Sequence, residues 1–408
     1  MSDPAPAPAK SAPETGAGPE ADAEAAAPRG PGPDDAPDDA LAAPAQPPEA
    51  AALSLSAAAP PRGQLVPVED GALPGPTPPV YAALAFTGPR PAAPLHRAWL
   101  RSGGGAAGGA ADGPPRRLRA AIWPAQVWEG KPRGTILLFP GRTEYIEKYL
   151  RVIARFTAMG FWVATLDWRG QGLSTRSHGP RLGHVDSFDE FQDDVAALLA
   201  WAPVQDLPGP RILVAHSMGG AIGLRAMLDG RLSVEGAIFS APFWGMPVDG
   251  AAGFFARGFA LGAMALGLAH REVSMSDGPN GTYVLDNDFE GNAFTEDPEH
   301  YAWMRRQAEA RPELTLGAPS VGFISAAFDE LRELRGRPSP DIPMLAFVGS
   351  GERVVSADAI RSRMRAAPRG RLARIEGARH EGFMESPARG PGAAIWRAIA
   401  RFLHDEGF

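Results

Sequence analysis

Arg211-Ile-Leu-Val-Ala-His-Ser-Met-Gly-Gly-Ala-Ile-Gly-Leu-Arg225 is the stretch on which the reading of the chain turns. An apolar, β-type run from Ile212 to Ala215 stops abruptly at His216-Ser217-Met218-Gly219-Gly220, and a helical pattern begins at once. This is a strand, a sharp turn and a helix, with a serine at the apex. Such a turn brings strand and helix so close that the positions two residues either side of the serine must be small. Gly219 meets that demand, and Ala215 meets it with one extra methyl. A buried structural serine in an ordinary βα turn is the competing reading, so the rest of the chain has to decide.

Composition sets the frame. Residues 1–80 hold 19 of the 43 prolines and 12 acidic residues against Lys10, Arg29 and Arg62, a local charge of −9. The whole chain of 408 residues carries −7, so residues 81–408 carry about +2. A Pro/Ala-rich acidic segment without apolar periodicity cannot bury enough surface to offset its ordering entropy, so residues 1–80 are expected to be a disordered tail. No basic face interleaved with aromatics suggests nucleic acid. No cysteine is present, which removes disulfides, thiolate metal sites and cysteine nucleophiles. No basic stretch followed by an apolar one opens the chain, so a cytoplasmic protein, peripheral to a membrane at most, is expected.

Working outward, Leu95–Leu100 and Arg117–Trp123 read as two strands around the Gly/Ala-rich loop Gly103–Pro115. Thr135–Phe139 is a continuous apolar run suited to a strand buried on both faces, and a helix is expected from Ile146 to Met159. Phe161–Leu166 is the next strand. Ser187-Phe-Asp-Glu190 has the form of a capping box opening a helix to Trp201. After the serine turn come strands at Gly236–Ser240 and Met344–Val348, a helix at Ala357–Ala366, a strand at Leu372–Ile375 and a helix at Ala393–Leu403. Strands alternating with helices mean a mostly parallel sheet covered on both faces, and the serine turn makes this an α/β-hydrolase pattern over residues 81–408. Residues 242–341 lack the alternation and fall where that fold inserts a helical cap. Within them Ala251–Ala269 is apolar almost all round. A membrane span, a cap helix with an acyl-binding or membrane-touching face, and plain core packing are three readings of it; Arg257 and four glycines argue against the span.

A serine hydroxyl needs a base to take its proton, and the base needs an acid to fix its tautomer. In this fold the order along the chain is serine, acid, histidine. His380 lies in the loop after the last strand, Glu376-Gly-Ala-Arg-His-Glu-Gly-Phe383, and is the candidate base. Glu352 is the carboxylate of the loop Gly349–Val355 and is the candidate acid, with Asp358 as the alternative and an ion pair to Arg353 as the bland reading of Glu352. The backbone N–H groups of Met218 and Arg142 are candidates for an oxyanion hole. His216 and His184 read as positioning or structural histidines, and Asp167 and Arg169 as loop-stabilising residues. No histidine or carboxylate spacing suggests a metal and no Gly-x-Gly-x-x-Gly follows a strand, so no metal and no cofactor is expected.

Four stretches together carry a resemblance: Phe139-Pro-Gly-Arg-Thr-Glu-Tyr-Ile-Glu-Lys-Tyr149, Asp167-Trp-Arg-Gly-Gln-Gly-Leu-Ser174, Ala215-His-Ser-Met-Gly-Gly220 and Gly377-Ala-Arg-His-Glu381. They resemble the lysophospholipase L2/monoacylglycerol lipase branch of the α/β-hydrolases, with a serine aminopeptidase S33-type domain. Asn292–Tyr301 and Leu316–Ser320 look like the bacterial lysophospholipases in particular. Pro140 stands where many relatives have histidine, and Glu352 where many have aspartate. The resemblance covers roughly residues 90–408 and implies a Ser217–Glu352–His380 triad, an oxyanion hole from Arg142 and Met218, and a lipid ester substrate held under the cap. No protein partner is expected. A peptide hydrolase of the proline-iminopeptidase type and a non-catalytic binding protein on the same fold are the two other expectations to be weighed.

Overall fold

The computed structural model describes residues 93–102, 116–127, 130–247, 250–273 and 282–408. The acidic tail and the glycine loop expected at residues 1–80 and 103–115 lie outside these.

Eight strands form one sheet: β1 (His96–Ser102), β2 (Arg116–Trp123), β3 (Gly134–Phe139), β4 (Phe161–Leu166), β5 (Arg211–His216), β6 (Gly236–Ser240), β7 (Met344–Gly349) and β8 (Gly370–Ile375). Their order is β1-β2-β4-β3-β5-β6-β7-β8, antiparallel at β1/β2 and β2/β4 and parallel elsewhere. This is the α/β-hydrolase architecture that the alternation predicts. All residues of β3 and β6 are buried, as expected of strands covered on both faces. Leu137, Phe139, Leu213 and Phe239 face one helical layer, and Ile136, Leu138, Ile212 and Ile238 face the other.

The helices of the chain follow as α1 (Leu150–Ala158), α2 (Asp189–Ala200), the single turn α3 (Ala202–Gln205), α4 (Met218–Leu228), α5 (Gly250–Ala265), the single turn α6 (Tyr283–Asp286), α7 (Pro298–Ala310), α8 (Val321–Arg335), α9 (Ala357–Ala366) and α10 (Gly390–Asp405). Two local expectations change. The helix expected from Ile146 divides into a 3-10 turn, Ile146–Tyr149, and α1. The capping box is displaced: Ser187 Oγ accepts from Asp189 N at 3.1 Å, and Glu190 takes the N–H of Asp186 at 2.8 Å rather than that of Ser187. Glu190 also receives Arg169 Nη1 at 2.8 Å, so its carboxylate serves a tertiary contact rather than a symmetrical cap.

Between β6 and β7 the chain makes a helical insertion, α5 to α8, whose one β-type contact among the described residues is the isolated bridge of Glu272 with Ser320. No helix among the described residues is long and apolar enough to cross a membrane, which removes the spanning reading of Ala251–Ala269. In α5 and the turn after it, Ala260 and Ala263 pack on Val321, whereas Phe259, Leu261, Leu266 and Leu268 face solvent.

Strand order reverses around β3, which lies between β4 and β5. The carboxyl ends of β3 and β5 therefore flank a topological switch point, where open α/β sheets place their ligands.

Candidate active site

Ser217 sits at that switch point with φ 47° and ψ −118°, a conformation that costs an ordinary residue on the order of 1–3 kcal/mol. The turn is held by its own backbone: Ser217 N donates to Ser240 O at 3.1 Å, while Ser217 O accepts from Gly220 N at 2.9 Å and Phe243 N at 2.8 Å. The small-residue requirement at position 219 is steric. A Cβ on Gly219 would lie 2.3 Å from Phe139 O and 2.5 Å from Pro140 O, inside the backbone of the neighbouring loop. Ala215 fits because its methyl lies in the packed core.

Phe139 and Ala215 are paired in register, so the loop beginning at Pro140 and the turn at Ser217 leave the sheet side by side. That brings Arg142 and Met218 to the same edge. Among the described residues, neither of their backbone N–H groups has a hydrogen-bond partner. The Arg142 side chain turns away: Nη2 donates to Gly317 O at 3.0 Å, and the guanidinium lies 5.2 Å from the Phe323 ring centre. Burial pulls its pKa down to about 10 against the opposing pull of Glu272.

The other pair of loops meets in the same way. Gly349 at the end of β7 is in register with Ile375 at the end of β8, and Gly351 N donates to Ala378 O at 3.0 Å. A Cβ on Gly349 would lie 2.0 Å from Ala378 O, so only glycine permits this approach. The result is that Glu352 Oε2 lies 2.9 Å from His380 Nδ1. Its Oε1 accepts from Val354 N at 2.6 Å and Val355 N at 3.0 Å. Burial alone would raise the Glu352 carboxyl, but the hydrogen bond and charge of His380 and the two N–H groups outweigh it and hold the pKa below its usual value. Glu352 therefore makes no pair with Arg353. Asp358 lies exposed on α9 and pairs with Arg361 at 2.6 Å, away from the imidazole. Ser217 and Met218 thus follow β5, Glu352 follows β7 and His380 follows β8, on the same carboxyl edge of the sheet as Arg142 after β3; among the described residues no hydrogen bond joins Ser217 to His380. His216 Nδ1 lies 2.9 Å from Ser240 O, and its ring centre is 4.7 Å from that of His380.

A buried ionic network under the site escapes sequence reading. Lys148 Nζ reaches Glu144 Oε1 at 2.9 Å and Glu381 Oε1 at 2.6 Å, and His300 Nε2 lies 3.1 Å from Glu381 Oε2. Glu144 also accepts from Gly141 N and from the Tyr149 hydroxyl. The network joins the loop after β3 to the residue following His380. Burial opposes each charge, yet Lys148 and His300 hold Glu381 well below the usual carboxylate range, and the two carboxylates hold Lys148 above its own. The signal was the i, i+4 pair Glu144/Lys148 inside the quoted Phe139–Tyr149 stretch. Asp167 and Arg169 are structural as expected: Asp167 accepts from Arg119 Nε at 2.7 Å, Ile146 N at 2.9 Å and Leu173 N at 2.8 Å, and Arg169 Nη2 pairs with Asp194 at 2.6 Å.

The family model described as serine aminopeptidase, S33, matches residues 130–387. The chain belongs to this family. It is 26% identical over 259 residues to a probable lysophospholipase L2 of Haemophilus influenzae, covering 63% of this chain and 80% of that one. It is 29% identical over 231 residues to lysophospholipase L2 of Escherichia coli, covering 54% and 64%. Among solved structures, a soluble variant of monoglyceride lipase from Saccharomyces cerevisiae shares the fold, with a TM-score of 0.55 and 17% identity over 76% of this chain and 97% of that one. The chain thus falls in the lysophospholipase/monoacylglycerol lipase branch of the α/β-hydrolases and is a carboxylic ester hydrolase.

Proposed function

We propose that this hydrolase releases a fatty acid from single-chain lipid esters, lysophospholipid or monoacylglycerol, through a Ser217–His380–Glu352 triad and without a cofactor. The observation that supports the reading is the 2.9 Å contact of Glu352 with His380 Nδ1, on the carboxyl edge of the sheet that also carries the strained Ser217. Holding Nδ1–H on a carboxylate leaves His380 Nε2 as the free base.

Ser217 Oγ attacks the ester carbonyl as His380 Nε2 takes its proton. The carbonyl π pair moves onto oxygen, where the N–H groups of Arg142 and Met218 stabilise it. Collapse breaks the C–O bond, and His380 returns the proton to the departing alcohol. Water then attacks the acyl-enzyme while His380 takes its proton. The second tetrahedral intermediate expels Ser217 Oγ, which recovers that proton, and the fatty acid leaves. Glu352 stays ionised throughout and stabilises the imidazolium.

The helical insertion acts as a cap. Its exposed Phe259, Leu261, Leu266 and Leu268 supply an apolar face for peripheral contact with a lipid surface. The relatives named as lysophospholipases support lipid over other esters.

Fatty-acid release from a long-chain lysophospholipid and a matched monoacylglycerol, by the native chain and by Ser217→Ala, tests the proposal. Turnover that vanishes in the variant supports it. Turnover of neither lipid, with a fluorophosphonate still labelling Ser217, would remove the lipid substrate and leave the triad. The family's aminopeptidase description favours peptide hydrolysis as the second reading; cleavage of an N-terminal proline amide in preference to both lipids would select it.

A further inference from the structure

Three histidines that the proposed reaction does not use meet beside the insertion. His178 and His184 lie on the segment between β4 and α2, and His270 follows α5. The His178 and His270 rings stack with centres 4.4 Å apart and planes at 16°, and the His184 ring stands across both at 4.6 and 4.4 Å. One ring nitrogen of each lies within 4.8 Å of the other two. Three cations at that spacing would repel strongly.

The surroundings of His184 set its orientation. Its Nδ1 lies 2.8 Å from Ser320 Oγ, which also caps α8 by accepting from Phe323 N at 3.0 Å. Nδ1 accepts from that hydroxyl, and Nε2–H donates to Asp186 Oδ1 at 3.0 Å, so an entering ion would take the place of the Nε2 proton while the hydrogen bond from Ser320 keeps the ring oriented. Gly322 forms the back wall: a Cβ there would lie 2.4 Å from His184 Cε1. The segment bearing His270 is tied to the same place by Gly322 N to Ala269 O at 2.9 Å, Val321 N to Arg271 O at 2.9 Å and Val273 N to Pro319 O at 2.8 Å.

We propose that His178, His184 and His270 form a site for a divalent transition metal of the zinc class, with the fourth position open to water. Three imidazoles suit zinc rather than magnesium or calcium, which take oxygen donors. Tetrahedral ligation at about 2.0–2.1 Å needs donors roughly 3.3 Å apart, which side-chain rotation of the half-buried His178 and the exposed His270 supplies. The ion joins the segment after β4 to the insertion. Because Phe323 of α8 lies over Arg142, it fixes the part of the insertion that packs on the loop after β3. Its role is structural, separate from the ester chemistry.

The test uses the full chain without an affinity tag, stripped with a chelator and titrated with zinc chloride by calorimetry, alongside His178→Ala/His270→Ala and, as a control, His404→Ala. One equivalent of zinc is expected in the native chain and the control, with a rise in Tm on binding. Affinity in the double variant is expected to fall by about 100-fold or more, with the zinc-dependent rise in Tm lost. The Tm of the stripped double variant, compared with that of the stripped native chain, separates lost ligation from lost folding. Absence of stoichiometric binding in the native chain, or unchanged affinity in a folded double variant, overturns the proposal.

Discussion

Glu352 gives one carboxylate oxygen to His380 Nδ1 and the other to the backbone N–H groups of Val354 and Val355, so both of its oxygens are fixed while its side chain is almost wholly buried. A carboxylate held in this way orients an imidazole without competing for its proton. Glu352→Gln is expected to lower kcat by roughly 10⁴-fold, as loss of the orienting acid does in other triads. Asp358→Asn, on exposed α9, should leave kcat unchanged. Steady-state kinetics on a soluble ester checks both; equal losses in the two variants would remove Glu352 from its role.

Ser217→Ala is expected to abolish turnover, by roughly 10⁶-fold in kcat, while leaving Tm close to that of the native chain, because alanine keeps the Cβ and with it the strained turn. Kinetics and thermal unfolding on the same preparation check the pair of outcomes.

Gly219→Ala should behave in the opposite way, losing stability as well as activity. Its methyl has to displace the carbonyls of Phe139 and Pro140, both main chain, at a cost of about 1–3 kcal/mol or more. Chemical denaturation measures that cost. A variant as stable as the native chain would show that the loop after β3 yields freely.

The Lys148 network predicts a change of sign with pH. Glu381 titrates below its ordinary 4.5 in the folded chain, so below about pH 4.5 the unfolded chain binds the extra proton. The stability this carboxylate contributes is therefore full above pH 4.5 and is lost as pH falls towards the depressed value. Lys148→Met leaves two buried carboxylates facing each other, at a cost of about 3–5 kcal/mol near neutrality. Burial and mutual repulsion then raise their pKa values, so the variant should gain stability on mild acidification from pH 7 while the native chain does not. Denaturant midpoints across that range decide it; parallel curves would show that the network carries no net charge coupling.

Contact with a lipid surface is expected to depend on the solvent-facing Phe259 and Leu266. Phe259→Ser/Leu266→Ser should reduce vesicle binding by about tenfold or more, given about 1.5–3 kcal/mol for each buried side chain. Hydrolysis of a soluble short-chain ester should be unchanged. Vesicle sedimentation beside that assay checks it, and undiminished binding would move the contact elsewhere.

The central strands were legible because burial on both faces turns a parallel strand into an unbroken apolar run, as at Thr135–Phe139. Ser217 and His380 could be selected from the sequence because the fold allots nucleophile and base fixed places after β5 and β8. Glu352 needed the register of Gly349 with Ile375 to be distinguished from Asp358, since both follow the same strand. Glu144 and Lys148 are far from Glu381 along the chain, and only the fold buries the three together. Their demand on the main chain accompanies the tight 3-10 turn Ile146–Tyr149, where helical periodicity predicted an unbroken helix. The histidine cluster left no local spacing at all, because it is assembled from one loop of the core and one of the insertion.

β6 and β7 are hydrogen-bonded neighbours, with Ser240 opposite Phe347, although the whole helical insertion separates them along the chain. To the sheet, the insertion is one loop whose two ends are already clamped side by side. The entropy of closing a flexible loop grows only with the logarithm of its length, about 0.6 kcal/mol for each doubling. Added length in its connecting turns therefore costs the sheet little, so long as α8 keeps Phe323, Ala326 and Leu334 in the core and His300 keeps Glu381. Such a chassis can change what enters it without relearning how to cut.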